Sequence, residues 1–400
     1  MNIYSATLQV LLAALWAGPL LARAPEDAPR LPEPTGKIVR VADTRQLYQA
    51  LAELSSGTTI LLEKGVYQLD KPVHLAKDGL RNIAIRGATG RWEDVVLRGA
   101  GMGDRSVYHG ILADSVQGLL VADLTVGWVG FHPVALQPKC RDVHIYHCRL
   151  VDAGEQFIKA SSDGKGSGVD DGVVEYCVME YSDFGPDDGY TNGVDVHGGK
   201  RWKIRHNRFR NIRTPRGARY KTVPAVLMWN GAADTVCEAN TFINCDRAVA
   251  FGLTRRSEFP DHRGGVVRNN FVYVAANEVP NVDTGIFVAG PETKVLHNTI
   301  LLNGGYPNAI EVRWGLSKDV VVANNLADGR VVARDGAVIA QHGNVTNAGR
   351  FQFKDPSAAN LHLRSFASSL YVTPLEDCPR DWDGEARNER RVTVGADEQR

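Results

Sequence analysis

The chain has 400 residues, is 44% hydrophobic and 23% charged, and balances 46 basic against 46 acidic side chains. That apolar content excludes a disordered chain, and six cysteines exclude a small disulfide scaffold. Zero net charge argues against a global field for nucleic acid or an anionic membrane, and 40 glycines imply many turns between short elements.

The first residues read as an export signal. Leu8 to Leu21 is an uncharged apolar run of 14 residues, shorter than the roughly 20 a membrane span needs. Ala22-Arg23-Ala24 has the small-x-small form of a cleavage site. We expect a signal peptide over 1–24, a Pro-rich linker over 25–36, and a periplasmic or secreted mature protein with no membrane span. Thr44 to Leu51 then patterns as an amphipathic helix, followed by strands at Thr59–Leu62 and Gly65–Tyr67.

From there the chain repeats. Apolar and polar residues alternate, a small residue follows, then another apolar one. Examples are Val143 to Leu150, Ile204 to Phe209, Val267 to Phe271 and Val321 to Leu326. The small residue falls at Cys148, Cys177, Asn207, Asn240, Asn270, Asn298 and Asn325, in steps of 29, 30, 33, 30, 28 and 27. Each repeat holds a second strand, such as Ile158–Ala160, Val194–Val196, Val226–Met228, Ile286–Val288 and Ile310–Val312. The period of two and the repeat length predict an all-β solenoid, with coils stacked at about 4.8 Å and an inward column of asparagines. Cys148 and Cys177 occupy that column on successive coils, near enough for a disulfide.

These phrases resemble the single-stranded right-handed parallel β-helix of the pectate lyase superfamily, with its asparagine ladder. The nearest likeness is to exported bacterial alginate lyases and chondroitinase B. The resemblance covers 37–370 and implies about nine to ten coils with an N-terminal capping helix. The phrases Asp381 to Arg387 and Val394 to Glu398 are common in that class, within an irregular tail over 371–400. The fold itself hosts lyases, hydrolases, epimerases and binding proteins.

Alternation names the outward residues of the second strand: Lys159, Asp195, His197, Leu227, Trp229, Phe287, Glu311 and Arg313. Stacking then sets Lys159 beside Asp195 and His197 near Trp229. Long connections, expected to follow these strands, run over 161–172, 183–193, 213–223 and 254–264. Residues 163–195 hold nine acids and one base, whereas 197–221 hold ten bases and no acid. A basic loop beside a groove suggests an anionic ligand, most plausibly an acidic polysaccharide or oligosaccharide, bound by a monomer.

Elimination from a uronate needs a neutralised carboxylate and a base available near neutral pH. The resemblance implies a Lys base with an Arg partner. Lys159 or Lys221 suits the first role, Arg219 or Arg255 the second, and His197 is a rival base. Lys159 could instead be simply the ion-pair partner of Asp195. Asp195, Arg213, Arg216, Trp229, Arg256, Glu311 and Arg313 are candidates for holding substrate. Asp187, Asp188 and Asp195 are candidate Ca²⁺ ligands. Two other readings stay open: a polygalacturonase-like glycoside hydrolase, and a carbohydrate-binding surface protein without catalysis.

Overall fold

Each repeated phrase is two strands, not one. A residue in the left-handed region breaks it just before the small residue. His147, Tyr176, His206, Ala239, Asn269, His297 and Asn324 hold this bend with φ between 46° and 57°. No glycine occupies these seven bends, although the conformation is costly for other residues. Backbone bonds to the next coil hold the bend, as His147 N–H does to the Glu175 carbonyl (3.1 Å). The chain turns there, so the following Asn side chain points into the interior.

The structure, a computed structural model, describes residues 25–365 and 367–399. The expected signal segment 1–24 lies outside them. Three all-parallel sheets result, of 12, 10 and 10 strands. Sheet 1 runs from Lys37–Val41 to Ile339–His342, sheet 2 from Gly65–Gln68 to Leu326–Ala327, and sheet 3 from Val73–Leu75 to Arg330–Arg334. Ten coils contribute to all three, and sheet 1 gains one strand at each end. This is the expected parallel β-helix. The helix Thr44–Ala52 lies at its start, capped by Asp43, whose carboxylate accepts the Gln46 N–H (2.8 Å).

The asparagine column forms as expected. Asn207, Asn240, Asn270, Asn298 and Asn325 each donate Nδ2 to the next Oδ1, at 2.9–3.0 Å. The last acceptor is Asn344, which the repeat spacing missed because its coil is only 19 residues long. Losing one rung would strand buried partners on two coils, at about 1–3 kcal/mol for each unpaired group. All six cysteines are free and buried. Cys148 and Cys177 form no disulfide; their thiols donate to carbonyls of Val121, Tyr146, Ile145 and Glu175.

The described segments at both ends, 25–36 and 371–399, pack on the corner between sheets 1 and 2. The segment 25–36 is not a free linker. Leu31 packs with Ala122, Tyr146 and Tyr176, and Arg86 donates to the Leu31 and Pro32 carbonyls. Past the turn Pro25–Asp27 the segment forms no helix or strand, so the Leu31 and Pro32 carbonyls are free for this. The tail is likewise ordered. It pairs Val392–Thr393 with Tyr371–Val372, and Gly395 and Ala396 bond to Asn324 and Thr299 of the helix flank.

The corner between sheets 2 and 3 holds Asp246, fully buried, whose Oδ2 accepts the Thr214 hydroxyl (2.6 Å) and N–H. Burial raises its carboxyl to about 7, against the opposing pull of Thr214 and Arg247. The native state therefore binds this proton more tightly than the unfolded chain, and stability falls as pH rises from about 4 to about 7. Asp246→Asn removes the titration while keeping an acceptor for Thr214. Urea midpoints measured from pH 4 to 8 are expected to lose a decline worth roughly 2–4 kcal/mol. An unchanged pH dependence would refute the assignment.

Candidate active site

The outward side of sheet 3 carries a connected set of polar side chains. Strand register sets Lys159 opposite Asp195 and His197 opposite Trp229, as alternation required. Lys159 Nζ lies 2.5 Å from Asp195 Oδ2 and 2.7 Å from His197 Nε2. His197 Nε2 is 3.3 Å from Asp195 Oδ1, which also accepts the Trp229 indole N–H (2.8 Å). The His197 ring meets Trp229 edge to face, with centroids 4.8 Å apart.

Asp195 is 2% exposed. Burial alone would raise its pKa, but the hydrogen bond from His197 and the charge of Lys159 outweigh that and bring it to about 2. It is an ionised anchor at neutral pH and not a proton acceptor.

A second layer fixes His197. Asn230 Nδ2 lies 3.0 Å from His197 Nδ1, and Asn230 Oδ1 accepts from Arg256. Arg256 is held by Asp261 (Nε to Oδ1, 3.0 Å), which also accepts the Asn230, Leu253 and Thr254 N–H groups. An arginine cannot accept, so the amide oxygen of Asn230 faces it and the amide nitrogen faces His197. His197 Nδ1 is then an acceptor, and the ring proton sits on Nε2, toward Lys159 and Asp195.

Two loop walls flank this floor. The connections 161–172 and 254–264 follow strands of sheet 3, as expected. Those over 183–193 and 213–223 instead precede them, after the sheet 2 strands Val178–Glu180 and Arg208–Arg210. The floor therefore lies in a groove rather than beside one cluster of loops. Arg216, Arg219 and Lys221 are exposed on one wall, and Arg255 on the other. Exposed Tyr190 and Tyr220 pack at a 51° tilt with centroids 5.2 Å apart on the first wall.

Other candidates lie elsewhere or are engaged. Arg213 is buried against the Phe184 ring and bonds Asp183 and the Glu278 carbonyl, so it clamps loops together. Glu311 and Arg313 sit four coils from Asp195 by register, about 19 Å away at the inter-strand spacing. They pair with Arg334 and Asp335. Phe287 is 3% exposed beneath Arg247 and Trp314, so it covers a loop and offers no platform. Asp187 and Asp188 are exposed, and Asp188 caps the Tyr190 N–H (2.9 Å). They do not converge with Asp195, which is already surrounded.

Sequence reasoning missed Asn230, Asp261, Glu155 and the stacked pair His109 and His132. The ring centroids of that pair are 4.9 Å apart. Burial lowers His109 to about 4 and His132 to about 3, so both are neutral at pH 7. His132 Nδ1 lies 3.0 Å from the Gln156 carbonyl, and its Nε2 lies 3.8 Å from Glu155. These residues sit in loops or at strand entrances, where the period of two gives no signal.

No protein-family model matches the chain. No curated protein matches it either. Solved structures do. An alginate lyase from Paenibacillus sp. str. FPU-7 superposes with a TM-score of 0.53 at 16% identity, over 77% of this chain and 99% of that one. The pectate lyase Pel9A gives a TM-score of 0.49 at 13% identity, over 90% and 89%. A polygalacturonase from Erwinia carotovora ssp. carotovora gives 0.41 at 11% identity, over 78% and 100%. Likeness at such identities is one of fold, and the chain has the right-handed parallel β-helix fold.

Proposed function

We propose that the protein is an exported lyase that cleaves a uronic-acid-containing polysaccharide by β-elimination. One observation carries this reading: Lys159 Nζ touches His197 Nε2 at 2.7 Å over the buried Asp195, on the outward face of sheet 3 between the loop walls. Abstraction of the proton α to a uronate carboxylate needs a base. We assign that role to Lys159, whose Nζ lies 2.5 Å from Asp195 Oδ2, so that Asp195 holds the charge of the protonated amine. The substrate carboxylate must be neutralised as the carbanion forms. Arg219, Lys221, Arg216 and Arg255 on the walls supply cations for that, and Tyr190, Tyr220 and Trp229 offer faces for sugar rings. The likeness to an alginate lyase supports the same substrate class.

A glycoside hydrolase is the second reading. Burial raises the Glu155 carboxyl, against the pull of Arg105 and Lys159, as a general acid requires.

One experiment separates the readings. The mature protein is incubated with alginate, pectate and glycosaminoglycans, with and without Ca²⁺. Ultraviolet absorbance of the unsaturated uronate is followed together with reducing ends. Absorbance rising on one polymer is the expected result. New reducing ends without absorbance would favour hydrolysis, and neither signal would leave a binding role.

A further inference from the structure

We propose that the C-terminal segment carries a site for a divalent transition metal, built from His362, Asp383 and Asp397. Their ligand atoms lie within 4.8 Å of one another. Three separate stretches of chain bring them together: the strand Asn360–Leu363, the turn after Asp381, and the last described residues. The site lies outside the sheet 3 groove, on the flank where the tail packs.

The histidine is pre-set for this task. Its Nδ1 lies 2.7 Å from Asn360 Oδ1, and that same oxygen accepts the His362 backbone N–H (3.3 Å). The amide therefore presents oxygen to the ring and Nδ1 carries a proton, while Nε2 donates to Asp383 Oδ2 at 2.9 Å, and a metal ion would take the place of that shared proton. A ligating histidine commonly has its far nitrogen fixed this way. The ring is also walled in. Trp382 and Phe271 stack at 4.9 Å, and each meets the His362 ring edge to face, at 5.3 and 5.1 Å. Asp397 is positioned through one oxygen, Oδ2, by the Leu363 N–H (2.7 Å).

One imidazole and two carboxylates suit Zn²⁺ or a similar ion better than Ca²⁺, which takes six to eight oxygens. Tetrahedral bonds near 2 Å would set ligand atoms about 3.3 Å apart, within reach of small carboxylate rotations. A cavity of about 240 Å³ borders His362 on the side of Asn360, Trp382, Phe271, His206 and Arg208. An ion held at the site would tie the tail to the strand Asn360–Leu363.

The test uses the untagged chain, stripped with chelator and titrated calorimetrically with ZnCl₂, with the thermal midpoint followed in parallel. One Zn²⁺ per chain and a raised midpoint are expected. Asp383→Asn and His362→Gln should each weaken that binding by roughly 100-fold. Asp383 is partly exposed and Asp383→Asn nearly isosteric, so this variant reports on the site even if His362→Gln folds poorly. Zn²⁺ uptake below one per chain, or uptake unchanged in Asp383→Asn, would overturn the proposal. It would leave a plain His362–Asp383 ion pair.

Discussion

Lys159→Ala is expected to lower the elimination rate by about 10²–10⁴-fold with little change in KM. The variant removes the atom that accepts the substrate proton, while the groove walls that bind the polymer are untouched. Asp195 keeps two partners, Trp229 and His197, so the coil stays folded. His197→Gln tests the rival assignment. If His197 only orients Lys159, a glutamine able to donate toward Nζ should retain much of the rate. Asn230→Leu probes the next layer, where the loss should be about tenfold and the pH–rate profile should move, since the ring proton of His197 is no longer confined to Nε2. A merely structural role for Asn230 would change stability and leave the profile in place. Initial rates at saturating polymer decide the matter. Lys159→Ala retaining a tenth or more of the wild-type rate would remove Lys159 as the base.

The parts of this molecule that obey a period were legible in the sequence. Alternation and the spacing of Asn207 to Asn325 gave the coils, the ladder and the pairing of Lys159 with Asp195. The bend residues were hidden, because His147 or Tyr176 carries no composition cue for a left-handed backbone. Loops escaped for a related reason. Asn230, Arg256 and Asp261 act on His197 through a connection whose path no periodicity fixes. Arg213 looked like a ligand cation because sequence shows charge and not burial, and the fold placed Asp183 and Phe184 against it. Phe287 is outward by register, as expected, but register says nothing about what covers such a position. How the tail packs escaped because neither its apolar contacts, of Leu370, Val394 and Ala396 with Phe271, Leu301 and Leu326, nor its polar bonds to the helix flank follow a repeat.

Those tail contacts converge on Arg387, and Arg387→Ala is expected to destabilise the protein by about 3–5 kcal/mol. The guanidinium is buried. It bonds Glu398 Oε2 (3.0 Å), Asn269 Oδ1 (3.0 Å) and the carbonyls of Gly395, Ala396 and Arg380. Removing it leaves Glu398, itself buried, with only the Thr393 N–H among these partners (2.9 Å). An uncompensated buried carboxylate costs more than the pair contributes, so Arg387→Met combined with Glu398→Met should recover much of the loss. Urea denaturation of the single and double variants measures both numbers. Limited proteolysis should show cleavage beginning beyond residue 365 in Arg387→Ala. The tail packs on bends at Asn269, His297 and Asn324, at the corner between sheets 1 and 2, whereas Lys159 and His197 lie on sheet 3. Below its melting transition, Arg387→Ala should therefore retain the wild-type elimination rate. A drop in rate parallel to the Lys159→Ala effect would mean that the flank and the groove are coupled. A stability loss under about 1 kcal/mol would mean that this buried network does not hold the tail.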